Sequence, residues 1–178
     1  MIAPTLKGSR LTLRQLHIDD AAALFDVLSD ETVMRYWSSG PHASVEETRD
    51  YLVWNADSDA EHLCWAITRH DGHALGWVIL IPRRAGIFEL GYILGRADWG
   101  KGFVQEAATM ALDHAFEAPG TRRVMADTDP ENIASIRLLE KLGFRQEGHL
   151  RAEWQTHIGV RDSLIFGLLQ HEWQSGHA

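Results

Sequence analysis

Between Ile87 and Phe116 the spacing of apolar side chains changes period across one short glycine-bearing loop, and that change restricts the folds open to the chain. Ile87 to Leu94 reads as a strand. From Val104 onward, Val104, Ala107, Ala108, Ala111, Leu112, Ala115 and Phe116 trace a single helical stripe that stops before Pro119-Gly120. The segment between them, Gly95-Arg-Ala-Asp-Trp-Gly-Lys-Gly-Phe-Val104, therefore joins a strand to a helix N-terminus. Gly100 and Gly102 let main-chain amides approach an anion without side-chain interference, where unpaired N–H groups and the helix dipole already favour negative charge. Lys101 adds a mobile positive charge. Two other readings stand beside anion binding: a plain turn, and a nucleotide phosphate loop. The second matches G-x-x-x-x-G-K-[ST] up to its lysine and fails at Gly102, where a hydroxyl residue would be needed for magnesium.

The rest of the chain sets the context of that loop. Arg10 to His17 alternates Leu11 and Leu13 with polar neighbours and predicts a first strand. Asp19 or Asp20 is placed to cap a helix through Leu28, and Ser44-Val-Glu-Glu47 to open a second from about Val45 to Ala56. Cys64 to Arg69, Ala74 to Ile81 and Ile87 to Leu94 read as successive antiparallel strands, separated by Asp71-Gly72 and by Pro82-Arg-Arg-Ala-Gly86. After the long helix comes a strand from Arg122 to Thr128. Asp129-Pro130 then offers a cap and a first-turn proline for a helix to Leu142, ended by Gly143. Strands at about Phe144 to Glu153 and Val160 to Leu169 complete an α+β pattern. Nothing repeats, and no linker divides the chain, so residues 1–178 are expected to form a single domain with its core in 10–173.

Composition narrows the function classes. In 178 residues, 45% hydrophobic content with seven Trp and six Phe is ample for a core, and the net charge of -8 gives no sequence-wide attraction for nucleic acid or an anionic membrane. No stretch approaches the roughly 20 apolar residues of a membrane span. Met1–Arg14 lacks a signal-peptide pattern, so a cytoplasmic location is expected. The single Cys64 lies in an apolar strand and reads as a core residue. The ten His show no ligand spacing and have no Cys partner pattern, so no metal is expected.

With these motifs in place, the chain resembles the GNAT superfamily of N-acetyltransferases. Trp99-Gly-Lys-Gly-Phe-Val104 is similar to that family's acetyl-CoA pyrophosphate loop, with Val104 where Gly or Ala is usual. Asp129-Pro-Glu-Asn-Ile-Ala-Ser135 and Glu140-Lys-Leu-Gly-Phe-Arg-Gln-Glu-Gly148 look like its second signature, in particular the Rim-type branch of ribosomal-protein N-terminal acetyltransferases. The resemblance implies a mixed, mostly antiparallel sheet of about seven strands, split in a V between the fourth and fifth and flanked by about four helices. It implies acetyl-CoA as co-substrate. Backbone of Tyr92, Ile93 and Leu94 would face the pantetheine arm. Trp99, Gly100, Lys101, Gly102, Phe103 and Val104 would hold the pyrophosphate, and Asn132 would hydrogen-bond the cofactor. The bland reading of Asn132 is a first-turn residue serving local backbone.

Acetylating an amine requires a neutral amine, a polarised carbonyl and a stabilised thiolate. Glu89, facing the same way as Gly91 and Ile93, is a candidate base, or else a solvated or ion-paired sheet carboxylate. The resemblance puts Leu139 where many relatives carry a tyrosine acid, which leaves that role vacant. In the Rim-type branch it gives Ser135 the leaving thiolate, the alternative being a small packing residue, and Glu153 a second base position. Trp37 and Trp154 would shape an acceptor pocket or simply pack. The expected acceptor is a protein N-terminal α-amine. A small amine such as a polyamine, or a CoA-binding module without turnover, are the alternatives, and a homodimer is compatible with the family.

Overall fold

The computed structural model describes residues 2–69 and 72–176. The order of elements is β1 (Leu6–Lys7), β2 (Thr12–Gln15), α1 (Ala21–Leu28), α2 (Glu31–Met34), α3 (Val45–Asn55), β3 (Leu63–Thr68), β4 (Ala74–Arg84), β5 (Ile87–Leu94), α4 (Phe103–Glu117), β6 (Arg123–Thr128), α5 (Ile133–Lys141), β7 (Arg145–Thr156), β8 (Gly159–Leu169) and α6 (Gln170–Gly176). Short 3-10 turns at Ile18–Asp20 and Arg96–Asp98 precede α1 and the α4 loop. The expected Asp71-Gly72 turn falls partly outside the described residues; Gly72 itself has φ +81.

The eight strands of the described residues form one sheet in the order β1-β2-β3-β4-β5-β6-β8-β7. The α+β class and mixed sheet agree with expectation, but β1, paired with β2 through Leu6↔Leu13, makes eight strands where about seven were expected. The first strand keeps only Thr12–Gln15 of Arg10–His17. Among the described residues six helices stand where about four were expected, because α2 and α6 are too short to show a stripe of their own. Strand β4 runs through Pro82 to Arg84 instead of ending at Ile81. A register shift between Pro82 and Arg84 accommodates the missing N–H.

Two cores lie on opposite faces of the sheet. On one, α4 and α5 bury Ala107, Ala111, Leu112 and Leu139 against Val78, Leu80, Leu90 and Val124. On the other, α1 and α3 bury Leu24, Leu28 and Leu52 against Cys64, Trp77, Ile79 and Ile93. Alternation along β5 thus sends Leu90 and Leu94 to the α4 face and Ile93 to the α1 face, as the period of a strand requires.

Candidate active site

The sheet opens where β5 meets β6. Their parallel pairing covers only Ile87↔Arg123, Phe88↔Val124 and Glu89↔Met125, although β5 continues to Leu94 and β6 to Thr128. Beyond Glu89, β6 stays paired with β8 and β5 with β4, so the strands splay into a V. Because of β1, this is the fifth and sixth strand of the sheet rather than the fourth and fifth. A cleft of about 1120 Å³ occupies the V, lined by both open strand ends, the α4 loop and the first turns of α5. That is room for an extended ligand and a second molecule beside it.

At one end of the cleft stands the glycine loop. Gly100 and Gly102 take left-handed φ of +73 and +76, and a Cβ added to Gly100 would meet nothing within 4 Å. Gly102 is the N-cap of α4 and supplies no side-chain cap, which leaves the helix amides available to an anion. The carbonyl side of the turn is held by Arg10, whose guanidinium donates to Lys101 O at 2.7 Å and pairs with Glu106. Lys101 Nζ is bound to Asp98 at 2.9 Å and lies outside the cleft lining; Asp98 also pairs with Arg69. The indole of Trp99 donates to Leu94 O at 2.7 Å, so this carbonyl, one expected to face the pantetheine arm, is already engaged. These main-chain groups fit a diphosphate on geometry alone.

Near the middle of the V the two faces carry different chemistry. On the α5 face, Tyr92 Oη and Ser135 Oγ are 2.7 Å apart. Burial pushes the Tyr92 phenol up to about 12, against a smaller opposing pull from Ser135, so it stays protonated. Asn132 is the N-cap of α5, its Oδ1 accepting from Ser135 N at 3.2 Å, and the residue lines the cleft. Leu139 is fully buried in the core. Asp129, expected as the cap, does something else. It accepts from Glu131 N and takes a bidentate bond from Arg161 of β8 at 2.7 and 2.9 Å, delaying the helix to Ile133.

On the opposite face, Glu89 accepts a bidentate bond from Arg83 at 2.7 and 2.9 Å. Since Glu89 pairs with Met125 in register, Asp127, two residues on, shares its face across the opening from Gly91. Asp127 Oδ2 accepts from Trp154 Nε1 at 2.9 Å and Ser163 Oγ at 3.1 Å. Trp37 also lines this side, bonded to Tyr51 Oη at 2.8 Å and edge-on to Trp77.

Of the sequence-predicted residues, the structure brings Glu89, Tyr92, Ile93, Leu94, Trp99, Gly100, Gly102, Phe103, Val104, Asn132 and Ser135 to one cleft. It does not bring Glu153 there: that side chain is exposed on β7, in the stretch where the register with β8 shifts between Leu150 and Trp154. Asp127, the Tyr92 hydroxyl and Arg161 escaped sequence reasoning. Alternation along the strand expected from Arg122 to Thr128 could have found Asp127, since it sets Asp127 on the face away from apolar Val124 and Ala126.

A strand-split mixed sheet with a glycine turn feeding an uncapped helix is the arrangement of the acyl-CoA transferases, and the chain's relatives fall in the same class. The sequence profile of the acetyltransferase (GNAT) domain matches residues 10–145, and the chain belongs to this family. It is 34% identical over 174 residues to the uncharacterized N-acetyltransferase p20 of Bacillus licheniformis, covering 95% of this chain and 98% of that one. The spermidine N(1)-acetyltransferase of Escherichia coli K12 is 28% identical over 170 residues, covering 93% and 89%. The crystal structure of spermidine N-acetyltransferase from Vibrio cholerae in complex with CoA and spermine superposes with a TM-score of 0.79 at 25% identity, over 94% of this chain and 99% of that one. The protein is thus an acetyl-CoA-dependent N-acetyltransferase. No helix among the described residues is long and apolar enough to cross a membrane.

Proposed function

We propose that the chain, working as one domain, transfers the acetyl group of acetyl-CoA directly to a primary amine in a ternary complex, and that the amine is the N-terminal α-amine of a protein or peptide, as in the Rim-type branch. The observation that carries this reading is the V between β5 and β6, with a bare helix N-terminus at its end and proton-handling groups on its two faces. Acetyl-CoA, when bound, supplies a thioester carbonyl for attack and a thiolate to depart. Residues 99–104 hold its diphosphate, the main chain of 92–94 its arm, and the Asn132 amide one of its carbonyls.

The protein's own groups move the protons. Glu89 accepts a proton from the acceptor's ammonium, directly or through water, and the neutral amine so formed attacks the thioester. Bidentate pairing with Arg83 fixes Glu89 in place. Ser135 Oγ protonates the departing sulfur and is refilled from Tyr92 Oη, which burial keeps in its acidic form, and the second proton shed by the acylated nitrogen restores the phenol by way of solvent in the cleft. Amine and thiolate are thereby served from opposite faces of the sheet. Glu153 is a second base only if the irregular stretch of β7 brings it inward. A small amine is the second reading, favoured by the two spermidine acetyltransferase relatives. A CoA-binding module without turnover is the reading outside enzymes.

Acetyl-CoA consumption with an N-terminal peptide and a small-amine panel tests this. Glu89→Gln and Ser135→Ala are expected to lower turnover by about tenfold to a hundredfold with CoA affinity retained. Glu153→Gln tests the second base in the same assay. Unchanged rates in all three variants would discard the assignments, and CoA binding with no acceptor would favour the non-catalytic module.

A further inference from the structure

The carboxylates lining the cleft differ in one respect that bears on the acceptor. Five of the six are held by a basic side chain: Glu89 by Arg83, Asp98 by Arg69 and Lys101, Asp129 and Glu131 by Arg161, and Asp162 by His149. Asp127 is the exception. Its Oδ2 takes neutral donors from Trp154 and Ser163, and its Oδ1 accepts nothing among the described residues. Arg83 lies near enough to feel its charge, but that guanidinium is committed in bidentate fashion to Glu89. Asp127 is therefore the cleft carboxylate with no basic side chain bonded to it, on the face opposite the Tyr92–Ser135 pair.

The surroundings of that charge are aromatic. Trp37 and Trp77 meet edge-on at 5.8 Å between ring centres on one side, and Trp154, 46% exposed and tied to Asp127, stands at the mouth on the other. Arg35 also lines the cleft, its guanidinium over the ring of Tyr36. Aromatic faces and one free carboxylate suit one ammonium on an apolar body. A second ammonium on the same molecule would find only carboxylates already bonded to a basic side chain, and would have to compete with that partner.

We infer that Asp127 anchors the acceptor's ammonium and that the acceptor is an amine carrying one positive charge beside an apolar or aromatic group, not a polyamine. This deepens the acetyl-transfer reading and rests on it for the meaning of the site as an acceptor site. Asp127→Asn keeps the shape and the bonds from Trp154 and Ser163 while removing the charge. Calorimetry with and without saturating CoA would follow binding of phenethylamine, an alanine-initiated peptide amide and spermidine to wild type and Asp127→Asn. Both single-charge amines are expected to bind wild type about tenfold or more tightly than spermidine. They should weaken about tenfold or more in Asp127→Asn, with CoA affinity unchanged and Glu89→Gln having a smaller effect on binding. Spermidine binding as tightly as the single-charge amines, or Asp127→Asn leaving amine affinity unaltered, would overturn the inference. Absence of acetyl transfer to any amine would instead count against the enzymatic reading, while the binding result would still decide the role of Asp127.

Discussion

Ser135 and Tyr92 meet because α5 packs on the face of β5 toward which Tyr92 points, and their 2.7 Å contact gives the serine hydroxyl a buried proton source. Tyr92→Phe removes that source while keeping the ring that fills the space. It is expected to lower kcat by about tenfold with little change in the KM of either substrate, and less than Ser135→Ala does, in steady-state assays varying each substrate in turn. Equal KM and kcat losses would mean that the ring position, not the hydroxyl proton, had been disturbed. Leu139 shows why no other residue takes over. It is fully buried among Leu112, Phe144 and other core residues, so Leu139→Ala should cost about 2–5 kcal/mol of stability in chemical denaturation, with activity surviving in the folded fraction.

The loop between β6 and α5 is set by one residue of another strand. Burial tends to raise the Asp129 carboxyl, but the Arg161 guanidinium and the Glu131 amide more than reverse this and hold it below the usual carboxylate range. A carboxyl lowered in the fold stabilises the protein fully above its unfolded value, near about 4, and that contribution is lost as pH falls through the lower folded value. Arg161→Met should therefore lower stability at neutral pH, where the pair's contribution is fully present, and make less difference as pH falls through the folded value, as followed by chemical denaturation at a series of pH values; equal stability of the two proteins at neutral pH would show that the pair contributes nothing. The same bond explains a difference between sequence and structure. Asp129-Pro130 has the look of a helix start, but the partner that draws Asp129 away lies 32 residues on, beyond any local pattern. The α4 stripe, the Ser44 cap and the Gly143 stop are local in origin and were legible. Strand β1 and helices α2 and α6 are too short to carry a period. That Gly100, Gly102 and Asn132 stand at one cleft was legible, whereas the Arg83–Glu89 clamp and the placing of Asp127 depend on which strands adjoin.

Across the whole molecule, function depends on one topological fact: β5 and β6 part after three paired residues while each keeps its outer neighbour. The two cores hold the arms of the V from opposite faces, and Arg10 ties the strand before α1 to the turn at its end. A ligand bridging both arms should raise the melting temperature in proportion to the logarithm of its concentration once saturating. The most direct test is a calorimetric titration of acetyl-CoA into wild type and Gly100→Ala, which places a methyl group at the open left-handed turn and adds about 1 kcal/mol of backbone strain. The expected result is binding at one site in wild type, weakened about tenfold in the variant while its fold by circular dichroism is retained. No heat with wild type, or equal affinity for the two proteins, would contradict the placing of the diphosphate at this turn.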